Sequence, residues 1–96
     1  MLFRSDRENF INELKNVKYI NKVFNSGANF ILFNINNKLY NSSGLNNYLL
    51  NSFSIYIKEV TDKFEYGDNK YYRVAVRMPF ENNLLVSAIN NYFNNI

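Results

Sequence analysis

Ninety-six residues with 47% hydrophobic and 20% charged content describe one ordinary globular domain with a modest core, enough to bury roughly 60 to 65% of the unfolded surface. The net charge of +3 and pI of about 9.2 arise from scattered Lys and Arg, so composition asks for no nucleic-acid partner, and no apolar run nears the roughly 20 residues of a membrane span. The chain has no Cys and no His, which excludes disulfides, thiolate chemistry, His-dependent nucleophile systems and the common Cys/His zinc sites, so no metal is expected.

Met1-Leu2-Phe3-Arg4 is not followed by the apolar core of an export signal, and the lack of Cys fits a reducing compartment, so a cytoplasmic protein is expected. Asn makes up about a fifth of the residues but is spread through every segment, as AT-rich coding would leave it. Ser5-Asp6-Arg7-Glu8 has capping-box spacing and predicts a helix from Ser5 to about Asn16, with Phe10, Ile11, Leu14 and Val17 forming its apolar stripe.

Tyr19 to Phe24 reads as a short extended stretch and Asn25-Ser26-Gly27 as a turn. Asn29 to Ile35 is apolar on both alternating faces, the pattern of a central strand. A polar loop from Asn36 to Gly44 leads to a short helix marked by Leu45, Tyr48 and Leu49 and ending near Ser52, and Phe53 to Val60 reads as another strand. Thr61 to Lys70 is the most polar loop, of a length that permits mobility when no partner domain holds it.

Tyr71 to Met78 alternates strictly: Tyr72, Val74, Val76 and Met78 face one way, Tyr71, Arg73, Ala75 and Arg77 the other. Pro79 suits the first position of a helix, Glu81 complements its dipole, and Phe80, Leu84, Leu85, Ala88, Ile89, Tyr92 and Phe93 recur at helical spacing. That stripe is expected to cover the greasy face of the sheet. The whole predicts an α+β fold: a small, mostly antiparallel sheet of three to four strands covered on one face by helices, in a single domain spanning residues 1–96.

The segment Tyr71-Tyr72-Arg73-Val74-Ala75-Val76-Arg77-Met78-Pro79-Phe80-Glu81-Asn82 resembles the C-terminal signature of class I/II (fold-type I) pyridoxal-phosphate-dependent aminotransferases. Three further pieces fall in the family's order: Ser26-Gly27-Ala28-Asn29-Phe30-Ile31-Leu32, Ile55-Tyr56-Ile57-Lys58-Glu59 and Phe64-Glu65-Tyr66-Gly67. The likeness runs from about Phe10 to Phe93 and is nearest to histidinol-phosphate aminotransferases and threonine-phosphate decarboxylases. It implies the small C-terminal domain of a larger enzyme that binds pyridoxal phosphate, works as a homodimer and acts on an amino acid or amino-acid phosphate. The large domain would be this chain's partner.

From the residues alone, the favoured reading of Arg73 is an exposed strand cation kept for solubility. The resemblance implies that it grips a substrate α-carboxylate, a task suited to the planar guanidinium fork. Lys58 falls where the family carries an Arg at the substrate's phosphate end, and Lys keeps the charge while losing the bidentate geometry. Arg77, expected on the face of Arg73 and roughly 14 Å away at about 3.4 Å per residue, resembles the decarboxylases in repeating Arg after Val-Ala-Val. Neither Lys58 nor Arg77 has an acid beside it on its own face in this reading, so a phosphate is their expected partner. Asn29 matches the family's Ala-Asn-Phe motif and is read as structural, tying backbone near the site.

No residue here is expected to be catalytic. A pyridoxal-phosphate enzyme needs a Schiff-base lysine and a phosphate cradle; none of the Lys residues follows a Ser, and the three Gly residues build no phosphate loop. The isolated chain is therefore expected to be inactive and to bind no cofactor covalently. Two competing readings remain open: a free-standing α+β module using the basic face of Tyr71, Arg73 and Arg77 to bind RNA or an acidic protein, and a structural or dimerisation domain. The RNA reading lacks the aromatic and Gly pattern of an RNA-recognition motif.

Overall fold

The computed structural model describes residues 4–24, 29–36, 44–63 and 69–94, with no account of the side chains of Arg4 and Lys63. Three α-helices and four strands follow in the order α1 (Arg4–Lys15), β1 (Lys22–Phe24), β2 (Phe30–Asn36), α2 (Leu45–Phe53), β3 (Lys58–Glu59), β4 (Asn69–Ala75) and α3 (Pro79–Asn94). A single 3₁₀ turn, Thr61–Lys63, precedes β4. The strands form one fully antiparallel sheet in the order β1-β2-β4-β3, which makes this the expected α+β fold with a small open sheet.

Alternation decides which face is dry. Ile31, Phe33 and Ile35 of β2 and Tyr72 and Val74 of β4 are buried together with Phe10 and Leu14 of α1, Leu45 and Leu49 of α2, and Leu85, Ala88, Ile89 and Phe93 of α3. Tyr72 and Phe33 are direct cross-strand partners, and their rings stack with centroids 5.6 Å apart. β2 is central, as the sequence suggests, with β1 and β3 on the two edges. The opposite face of the sheet carries Phe24, Phe30, Leu32, Tyr71, Arg73 and Lys58, and none of these is buried.

Several expected boundaries move. Ser5 is already inside α1, so it is not the cap of a box with Glu8. The strand expected over Phe53 to Val60 shrinks to Lys58–Glu59: Phe53 closes α2, and Ser54 adopts the left-handed conformation at φ 57. The Ser54 and Ile55 amides donate back to the carbonyls of Leu50 and Leu49 at 3.0 and 3.1 Å. The chain re-enters the sheet only after this turn, so Ile55 to Ile57 run without ladder partners.

β4 begins two residues earlier than expected, with Asn69 and Lys70 paired to Asn36 and Ile35, and it ends at Ala75 instead of Met78. On α3, Leu85, Ala88, Ile89 and Phe93 cover the core as expected, but Phe80 and Leu84 do not, being 77% and 40% exposed. Successive helical residues are rotated by about 100°, so the Phe80/Leu84 row turns away from the row led by Leu85. The expectations for residues 25–28, 37–43 and 64–68, which include the Asn25-Ser26-Gly27 turn, parts of both polar loops and the Phe64-Glu65-Tyr66-Gly67 piece, lie outside the described residues.

Candidate functional site

The open face of the sheet brings Arg73 and Lys58 together. They are direct partners in the β3–β4 register, so their side chains leave the sheet on the same side. Glu59, which follows Lys58, points to the other face and lies 3.6 Å from Lys70 Nζ. Like charges directly opposite one another repel, and no acid is paired with Arg73 or Lys58 among the described residues. Lys58 is exposed and Arg73 half-buried.

On the other flank of Arg73 is Phe30, whose ring lies under the guanidinium with Cζ 4.6 Å from the centroid. The β2–β4 register pairs Phe30 with Ala75 and Leu32 with Arg73, so Phe30 reaches Arg73 along a diagonal. Arg7 of α1 donates from Nη2 to the Phe30 carbonyl at 3.2 Å, tying the start of β2 to the first helix.

Arg77 is not the companion of Arg73 that alternation alone suggests. The ladder ends before it: Val76 still donates to the carbonyl of Asn29 at 2.8 Å, but the Arg77 amide donates to Asn82 Oδ1 at 2.9 Å, and Asn82 Nδ2 donates to the Arg77 carbonyl at 2.8 Å. The Arg77 side chain pairs with Glu81, Nε to Oε2, at 2.5 Å. The expectation that Arg77 has no neighbouring acid is therefore corrected; one helical turn brings Glu81 back beside it.

At the end of the sheet the Asn29 carbonyl accepts from the Val76 amide, and the Asn29 side chain is exposed. Asn82, 4% exposed, was read only as part of a motif, yet it fixes the strand-to-helix corner. The available signal was an amide four positions into a helix opened by Pro79, where the Asn82 amide bonds the carbonyl of Met78 at 3.0 Å.

Beside this corner runs a groove of about 420 Å³ lined by Phe53 to Ile57, the end of β4, Arg77 and the first turns of α3. Pyridoxal phosphate needs an amine for its Schiff base and clustered donors for its phosphate. No Lys lines the groove; Lys18 lies over Tyr19, Lys22 over Phe24, and Lys70 beside Glu59. The described residues do not fit the cofactor.

No protein-family model matches the chain. A curated relative, the adenosylcobalamin biosynthesis bifunctional protein CobDQ of Leptospira interrogans serogroup Icterohaemorrhagiae serovar Lai (strain 56601), is 35% identical over 88 residues, which is 91% of this chain and 10% of that protein. Among solved structures, a decarboxylase from Sulfurospirillum multivorans superimposes with a TM-score of 0.77 and 26% identity over 93% of this chain and 24% of its own. The histidinol-phosphate aminotransferase from Clostridium acetobutylicum gives a TM-score of 0.74 and 27% identity over 97% and 27% respectively.

The fold is thus that of a small α+β unit matching about a quarter of larger decarboxylase and aminotransferase chains, and the chain spans only a tenth of the curated relative. It resembles the C-terminal small domain of class I/II, fold-type I pyridoxal-phosphate-dependent aminotransferases, with a histidinol-phosphate aminotransferase and a decarboxylase among its structural matches.

Proposed function

We propose that this chain is the C-terminal substrate-binding domain of a larger pyridoxal-phosphate-dependent enzyme, either histidinol-phosphate aminotransferase-like or threonine-phosphate decarboxylase-like. The observation that carries the proposal is the direct register of Arg73 with Lys58 on the open face of the sheet. Two cations held side by side, with no acid paired to either among the described residues, favour an anionic ligand that spans both. Arg73, with its planar fork, takes the α-carboxylate where the substrate has one, as threonine phosphate does and histidinol phosphate does not; Lys58 takes the phosphate as a point charge. Arg77 joins the phosphate end only by giving up Glu81, so it ranks behind Lys58.

In this reading the large domain supplies the Schiff-base lysine and holds the cofactor, which provides the electron sink for transamination or decarboxylation. The isolated chain is inactive, and the full enzyme is a cytoplasmic homodimer. The competing reading as a free-standing RNA or acidic-protein module needs Tyr71, Arg73 and Arg77 on one basic face, and Arg77 is instead paired with Glu81.

The test uses the full-length parent enzyme with histidinol phosphate, threonine phosphate and their dephosphorylated forms, following keto product and carbon dioxide separately. Phosphorylated substrates are expected to react better, and Lys58→Ala is expected to erode that preference. If the dephosphorylated forms react as well and Lys58→Ala changes nothing, the phosphate assignment is wrong.

A further inference from the structure

We infer that Phe30 is a positioning residue that acts through Arg73, its ring fixing the guanidinium so that the N–H fork is presented to an anion on the open face of the sheet. The inference rests on the carboxylate role proposed for Arg73. Its starting point is a contact on the sheet face opposite the helices: the Phe30 ring, 42% exposed, lies against the Arg73 guanidinium with 4.6 Å from Cζ to the ring centroid.

Three features of the neighbourhood direct the ring toward Arg73. The direct partner of Phe30 is Ala75, whose methyl group leaves the space beside β4 open for a ring to lean across. The Phe30 backbone is held from behind by the bond from Arg7 Nη2 to its carbonyl, and it begins a seven-residue strand in the centre of the sheet. The ring therefore stands on a fixed base. A ring face attracts the guanidinium through its π density and uses none of the N–H donors that a carboxylate needs.

An Arg side chain otherwise samples many rotamers, and fixing one in advance lowers the cost of binding. Lys58, directly beside Arg73, has no such support among the described residues and is exposed. The two cations thus differ in kind. Arg73 is a rigid, oriented receptor, and Lys58 is a movable charge that follows the ligand.

The experiment uses the 96-residue chain, ¹⁵N-labelled, with maleate as the carboxylate probe. The Arg73 Nε–H resonance is assigned by its loss in Arg73→Lys. In the unmodified chain this resonance is expected to carry an upfield ring-current shift, to be ordered on the fast timescale and to move saturably with maleate. Phe30→Leu keeps an apolar side chain but removes the ring; it is expected to abolish the ring-current shift, lower the order of Nε–H and weaken maleate binding about two- to fivefold. Phe30→Tyr, which restores a ring face, should recover all three.

A merely structural Phe30 would change the unfolding midpoint in Phe30→Leu without these changes at Nε–H. If Phe30→Leu leaves order and maleate affinity unchanged while Arg73→Lys weakens binding, the positioning role is refuted and the carboxylate role of Arg73 stands. If maleate does not move the resonance in the unmodified chain, or if Arg73→Lys binds it equally well, the carboxylate role fails and the inference falls with it.

Discussion

Removing the Asn82 amide should unfasten the corner between β4 and α3. The side chain is 4% exposed and makes two bonds to one residue, accepting from the Arg77 amide at 2.9 Å and donating to its carbonyl at 2.8 Å. Asn82→Ala loses both bonds and leaves a partly buried backbone amide and carbonyl unpaired. At about 0.5–1.5 kcal/mol for each bond, and up to about 3 where a buried group is stranded, the expected loss is about 2–4 kcal/mol. Against a total stability of about 5–10 kcal/mol for a domain of this size, that is a large fraction. Asn82→Asp keeps the acceptor for the Arg77 amide and places a negative charge near the start of α3, but loses the donor, so it should fall between the two. Urea unfolding followed by far-UV circular dichroism measures each variant, with the slope against urea checked for constancy. The thermal midpoint of Asn82→Ala should drop by about 8 °C or more. A loss below about 0.5 kcal/mol at unchanged slope would refute the claim that the amide holds the corner.

Gly44, at φ 88, should resist substitution for conformational reasons alone, because an added Cβ would meet nothing closer than Tyr92 Oη at 3.9 Å; Gly44→Ala is expected to cost about 1 kcal/mol and Gly44→Asn less, by the same urea assay. Glu81→Gln breaks an ion pair whose side chains are 44% and 64% exposed, so its effect on stability should stay below about 1 kcal/mol and vanish in molar salt. Burial pushes the Tyr92 phenol above its ordinary 10.0. The stability owed to the neutral phenol is complete below the unfolded-state value and is lost as pH rises through the folded-state one; Tyr92→Phe should flatten that fall in stability and remove one upshifted phenol from the absorbance titration.

The sequence carried the parts of this fold that depend on period and little that depends on register. The stripe of Tyr72, Val74 and Val76 and the start of α3 at Pro79 follow from alternation and from proline's missing amide, and both stand, whereas Met78, expected on the same face, is 50% exposed. Arg73 was found from its motif, but its meeting with Lys58 was not, because alternation within one strand says nothing about which residue of the next strand lies opposite. The same gap hid Phe30, whose importance lies in a diagonal contact between β2 and β4. Arg77 shows the converse error. Period two was extended past Ala75, where the ladder gives way to a helix cap and the backbone no longer obeys strand geometry. An alternation rule holds only while the chain is paired, and here Asn82 replaces the neighbouring strand as the partner of Arg77. The motif that joins Arg73 to Asn82 therefore combines two kinds of constraint, a ladder that aims Arg73 outward and a cap that turns Arg77 toward Glu81. An anion receptor built on this chain is expected to rest on the first and to need the second only to hold the corner in place.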